Sequence, residues 1–138
     1  MVYFMNNNYM KQEIPLEERK KIMVDILQEF HNFCITNNFK YSIWYGTAIG
    51  AIRHKGFIPW DDDIDVVMPR EDYDKFLLLW KDNDKFELFD DRRKDYKIHF
   101  AKLCSRLTTS VSQYTKDRTG IFIDIFPLDY VIKRKPIY

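Results

Sequence analysis

Residues 56–72 read GFIPWDDDIDVVMPRED, and four aspartates fall within five positions: Asp61, Asp62, Asp63 and Asp65. Apolar walls enclose them, Phe57, Ile58, Pro59 and Trp60 before, and Val66, Val67, Met68 and Pro69 after. In an extended chain, side chains alternate between two faces. Asp63 and Asp65 therefore share one face, and Ile64, Val66 and Met68 share the other. Asp62 has the wrong parity, and Asp61 joins the pair only if the strand starts close to Pro59. The stretch reads as a strand, DIDVVM, with one face in a core and two carboxylates raised side by side.

Reading outward from it, REDYDKFLLLWKDN (70–83) is a helix with acids in its first turn, where they favour the helix dipole. Upstream, YSIWY (41–45) is strand-like, and GTAIGAIRHKG (46–56) is a short helix stopped by Gly56. From Pro15, apolar residues at Leu16, Ile22, Met23, Ile26, Leu27, Phe30, Phe33 and Cys34 trace one amphipathic helix ending near TNN (36–38). The second half changes period. KFELFD, YKIHFAKLCS, RLTTSVSQY and GIFIDIF are short strand-like runs between polar turns. This order predicts an α+β fold, one mixed sheet with helices packed on one side. Residues 1–13 read as a flexible tail and 14–130 as the core. Residues 131–138 open a segment that breaks off, so the chain is expected to be a fragment of a longer protein.

The totals limit the function. With 138 residues, 46% hydrophobic and 31% charged, the chain suits one globular domain. A formal net charge of +1 gives no field for nucleic acid or an anionic membrane surface. Cys34 and Cys104 lack metal or disulfide spacing and read as buried thiols. No leader-like segment opens the chain, and its longest apolar run, FLLLW, is far short of a membrane span. The expected address is cytoplasmic, including the inner membrane surface.

Adjacent carboxylates repel, and a divalent cation resolves the conflict. Oxygen-only ligands suit Mg²⁺ or Mn²⁺, which also take substrate phosphate oxygens. The plain alternative is a solvated acidic turn capping the helix at Arg70; apolar flanks and parity put the metal ahead. An EF-hand count over Asp61, Asp63, Asp65 and Asp72 fails, because Val66 stands where the loop needs Gly and Pro69 lies inside it. Gly46 and Thr47 sit where strand passes into helix, so free N–H groups and a hydroxyl could cradle a phosphate, or simply form a turn. Arg53 suits phosphate contact and dipole capping equally, whereas His54 and Lys55 read as capping cations. Asp124 interrupts the apolar run of GIFIDIF, a costly place for a carboxylate unless it is paired or metal-bound, although strand alternation alone would permit it.

GTAIGAIRHKGFIPWDDDIDVVMPREDYDKF (46–76) closely resembles the signature of the LicD family of phosphocholine transferases, whose relatives include fukutin-type ribitol-phosphate transferases. GIFIDIFPLD (120–129) resembles that family's second block. Both are similar to the DNA-polymerase-β-like nucleotidyltransferase pattern, in Tyr45-Gly46-Thr47, Asp63-Ile64-Asp65 and Ile123-Asp124-Ile125, with Thr47 in place of the usual Gly or Ser. The resemblance implies a nucleotidyltransferase-like sheet and Mg²⁺-dependent transfer from a CDP-activated donor to a hydroxyl of a glycan or lipid-linked glycan, as in lipopolysaccharide, teichoic acid or capsule. It implies Asp63, Asp65 and Asp124 as metal ligands and catalytic residues, and Gly46 and Thr47 as phosphate-binding. Arg53, Lys102 and Arg106 are further donor-binding candidates, from charge and position.

Two rivals stand beside this reading. A nucleotidyltransferase using the same aspartates would release pyrophosphate where LicD-type transfer releases CMP. An inactive remnant would serve only as a binding piece.

Overall fold

The apolar stripe of the first long helix is what the rest of the fold is built against. A computed structural model of the chain describes residues 2–5, 13–111 and 119–130. Helix α1 spans Leu16–Thr36 and buries Met23, Ile26, Phe30 and Cys34, positions three or four apart on one face. Asn38 ends it in the left-handed conformation (φ 56°). The Phe39 and Asn38 N–H groups donate back to the Cys34 and Ile35 carbonyls at 2.8 and 3.2 Å, and the Phe33 and Phe39 rings close the cap. The TNN stop therefore holds.

Strand β2 is Ser42–Ile43, helix α2 Tyr45–His54, strand β3 Asp65–Pro69 and helix α3 Arg70–Leu79. Strands β4 (Phe86–Phe89), β5 (Ala101–Ser105), β6 (Thr108–Val111) and β7 (Phe122–Leu128) follow, and β1 is Val2–Met5. The main sheet is five-stranded in the order β2-β3-β7-β5-β4. The β3–β7 pair is parallel and the others are antiparallel, so the sheet is mixed, as expected. Val66 and Met68, Ile123 and Ile125, and Ala101 and Leu103 point from three central strands into one core with α1 and α3. Burying six such side chains against two helices provides the main drive to fold. Arg70 at the start of α3 grips Asp129 beyond β7 through two hydrogen bonds of 2.6 and 2.8 Å.

The structure corrects the reading in several places. Within the expected tail, Val2–Met5 form a strand whose register with β6 runs from Val2↔Val111 to Met5↔Thr108, a second, two-stranded sheet. Tyr3 and Met5 pack against the main core, which is why this stretch does not fray. Gly56 was expected to take the left-handed stop of α2, but Lys55 takes it (φ 57°). The glycine that the local fold requires is Gly50: a Cβ there would lie 2.5 Å from the Gly56 carbonyl oxygen, because the chain folds back over the helix. Helix α3 ends at Leu79 rather than near 83, since Trp80 turns extended (ψ 135°) and packs on Phe33 and Phe76. Residues 1 and 6–12 of the expected tail, the end of the expected RLTTSVSQY strand from 112, and the segment 131–138 lie outside the described residues.

Candidate active site

On the sheet face opposite α1 and α3, register places charge in a row. Asp65, the first residue of β3, stands beside Asp124 of β7, and Lys102 of β5 stands on Asp124's other side. The Lys102 Nζ donates to Asp124 Oδ1 at 2.7 Å, in an ion pair whose side chains are 10% and 14% exposed. Lys102 Nζ also lies 3.4 Å from the centroid of the Phe122 ring, which closes the row on that side.

Asp63 precedes β3 instead of lying in it, because the ladder starts at Asp65. The Asp124 N–H donates to the Ile64 carbonyl at 2.9 Å, so β7 already grips the chain there. Asp63 remains close enough to feel the charges of Asp61, Asp62 and Asp124. Burial first, then the Asp61 carboxylate and its hydrogen bond, push the Asp63 carboxyl up to about 6. Burial, then Asp63, Asp124 and Asp61, push Asp65 up to about 6 as well, with Lys102 opposing. Burial raises Asp124 too, again against the pull of Lys102. These carboxylates are held together at an electrostatic cost.

The corner at Gly46 is built differently from expectation. A Cβ on Gly46 would lie 2.5 Å from Asp61 Oδ2, so the Asp61 carboxylate rests against the first turn of α2. That is where a helix start attracts an anion. Asp61 is the site residue that strand parity missed; its place depends on a contact across the turn, for which the chain carries no local signal. Thr47 Oγ1 accepts the Asp65 N–H at 2.9 Å, and the Trp44 N–H donates to the Asp65 carbonyl at 2.9 Å. Thr47 thus clamps the start of β3, and its own hydroxyl proton stays free to donate.

The basic candidates divide. Lys102 belongs to the row. Arg53 sits in the last turn of α2, its Nε donating to His54 Nδ1 at 3.3 Å. Seven residues of helix put it ~10 Å along the axis from Gly46, the geometry of dipole capping. Arg106 lies beyond the end of β5, four residues or ~13 Å from Lys102, and its Nη1 donates to the Asn83 carbonyl at 3.2 Å. The structure brings neither arginine to the carboxylates.

Behind the acidic loop, the buried Lys20 donates from Nζ to the Pro59 carbonyl at 2.9 Å and lies over the Phe57 ring. This ammonium fixes the segment that delivers Asp61 and Asp63.

Oxygen-only donors with mutually raised pKa values fit a hard divalent cation better than any soft one. As they stand, no three carboxylate, imidazole or thiol groups among the described residues enclose an ion, since Asp124 is engaged by Lys102 and Asp61 by the helix start.

Residues 38–135 match the family model described as LicD/FKTN/FKRP, nucleotidyltransferase domain. The chain belongs to that family. The "Lipopolysaccharide cholinephosphotransferase LicD" of Haemophilus influenzae is 37% identical over 124 residues, 87% of this chain and 46% of that protein. An uncharacterised protein of Rickettsia typhi is 29% identical over 119 residues, 83% of this chain and 37% of its own length. The chain therefore spans less than half the length of these relatives. The matched residues 38–135 include the row and the corner just described. No helix among the described residues is long and apolar enough to cross a membrane.

Proposed function

We propose that this domain serves a metal-dependent transferase that moves phosphocholine, or a similar phospho-substituent, from a CDP-activated donor to a hydroxyl of a cell-surface glycan. The observation that carries the reading is the register Asp65↔Asp124 on neighbouring parallel strands, with Asp63 beside them. The similarity to the Haemophilus cholinephosphotransferase supports the choline donor and the lipopolysaccharide acceptor. In this reading, Asp63, Asp65 and Asp124 hold Mg²⁺ or Mn²⁺. Bound there, the ion would neutralise phosphoryl oxygens and lower the pKa of an attacking hydroxyl.

The chain's own groups supply the rest. Asp124 Oδ1 is taken by Lys102, so Oδ2 is the oxygen that receives the acceptor's proton as its oxygen bonds to phosphorus. The phosphorus–oxygen bond to CMP breaks in the same transfer. The Lys102 ammonium, already desolvated beside the reacting groups, offsets charge gathering on the departing CMP. The Thr47 hydroxyl and the N–H groups at Gly46 hold donor phosphate once it takes the seat now filled by Asp61.

The test is CMP release from CDP-choline with Mg²⁺ and a lipopolysaccharide acceptor. Wild type is expected to release CMP, and Asp124→Asn to lose turnover while retaining donor binding. Release of pyrophosphate from a nucleoside triphosphate, with none of CMP, would move the chain to the rival chemistry. Equal turnover in Asp124→Asn would remove the mechanism.

A further inference from the structure

The charged row has an aromatic row next to it on the same sheet face. Two residues along β7 from Asp124 stands Phe126, whose neighbour on β3 is Val67. The β5–β7 register, carried one residue past Ala101↔Ile125, sets Phe100 opposite Phe126, and their ring centroids are 4.3 Å apart. From α2, the Tyr45 ring meets Phe126 edge-on at 5.9 Å. Trp44 meets Tyr45 at 6.2 Å.

Tyr45 is the odd member of this set. It is 62% exposed, so no burial explains a large ring at that point. It also holds φ 43°, a left-handed conformation that side chains other than Asn, Asp and Gly rarely adopt. An exposed aromatic residue kept in an unfavourable backbone state beside a reacting row is a place to look for ligand contact. Asp65 and Asp124 lie one step from these rings along β3 and β7. Lys102 lies one step from Phe100 along β5 with its ammonium 5.5 Å from that ring, so the Phe100 end already faces a cation and the free end of the strip is Tyr45 and Phe126.

We infer that Tyr45 and Phe126, with Phe100 packed behind Phe126, form the surface that receives a quaternary ammonium group, the choline end of the donor, resting on the function proposed above. Rings present negative faces to a cation, and a trimethylammonium needs no hydrogen bonds, so an aromatic strip satisfies it fully. The Asp65 carboxylate adds attraction that a neutral group of the same shape would not feel, whereas Asp124 is already balanced by Lys102. One step along the strands separates the strip from the charged row, the reach of the short link between an ammonium and its phosphate. Tyr45 and Phe126 thereby become specificity residues for the transferred group.

Binding needs neither metal nor turnover, so it can be tested alone. Choline and its uncharged carbon isostere, dimethylbutanol, are titrated into metal-free protein while ring resonances are followed by NMR. Choline is expected to shift Tyr45 and Phe126 and to bind about two- to fivefold more tightly than the isostere. Tyr45→Leu and Phe126→Leu should each erase that preference, and Tyr45→Phe should keep it. Tyr45→Asn, which tolerates the backbone, should lose the preference with no fall in Tm, separating ring loss from unfolding. Equal binding of the two ligands, or preference surviving in both leucine variants, overturns the inference. So does displacement of choline from Tyr45 by cytidine alone, which would give the strip to the base. CMP release without a choline preference sinks this proposal only; a choline preference without CMP release sinks the function proposed above and leaves the strip.

Discussion

Replacing Asp65 with Asn should make the metal-free protein more stable at neutral pH. Asp65 titrates near 3.8 when unfolded and is pushed up to about 6 in the fold, by burial first and then by Asp63, Asp124 and Asp61. A folded pKa above the unfolded one means that the unfolded chain releases its proton first. The favourable contribution is therefore complete below 3.8 and is lost as pH rises through about 6. At ~1.4 kcal/mol per unit the full difference is about 3 kcal/mol, and local relaxation and water entry bring the expected gain to roughly 1.5–3 kcal/mol. The Asn side chain keeps the shape and the backbone bonds to Thr47 and Trp44 untouched. For a domain of this size each kcal/mol moves Tm by ~3–5 °C, so the variant should melt roughly 5–12 °C higher at pH ~8. At pH ~4 the gain should shrink to ~2 °C or less. Thermal melts in a chelator at both pH values measure this. An Asn variant no more stable than wild type at pH ~8, or equally stabilised at both, would refute the view that this row is held against its own repulsion.

Lys102→Met leaves Asp124 buried without its ammonium and should cost about 3 kcal/mol in urea melts, increasing with pH, while Lys102→Arg retains most of the stability. Mg²⁺ should raise Tm more above pH ~6 than at pH ~4, since protons compete for the same oxygens, and the double change Asp63→Ala with Asp65→Ala should abolish the rise. Gly50→Ala forces the returning chain at 56–58 to move and should cost about 1–3 kcal/mol, whereas Gly56→Ala, with open space around it, should stay within ~0.5 kcal/mol of wild type.

Side-chain parity carried the reading a long way. It put Asp65 and Asp124 on one side of their strands and Val66, Met68, Ile123 and Ile125 on the other, because one face had to be buried. The long helix, its asparagine stop and the acid-rich start of α3 were legible for the same local reasons. What stayed hidden depends on partners distant in the chain. Nothing near Lys102 marks it as Asp124's counter-ion, because that pairing is decided by the β5–β7 register. Asp61 lies against Gly46 through a turn that alternation does not describe. The run VYFM shows no strand length of its own, and β6, the core beneath it and the bridge to Glu13 make it one. Lys55 could displace Gly56 at the helix stop because the glycine argument treats the cap alone, whereas the return of the chain over Gly50 sets the local path.

The parallel pairing of β3 with β7 also has a kinetic side. Its two strands are separated in the chain by α3, β4, β5 and β6, so closing the pair is a long loop closure, a slow event in folding. That closure is also the event that forces Asp65 against Asp124. If the pair is already zipped in the transition state, refolding should slow as pH climbs through about 6 while unfolding barely changes. If it zips afterwards, the pH dependence moves to the unfolding limb. Chevron plots at two pH values would thus use the protein's acidic row as a built-in reporter of when its central strands meet.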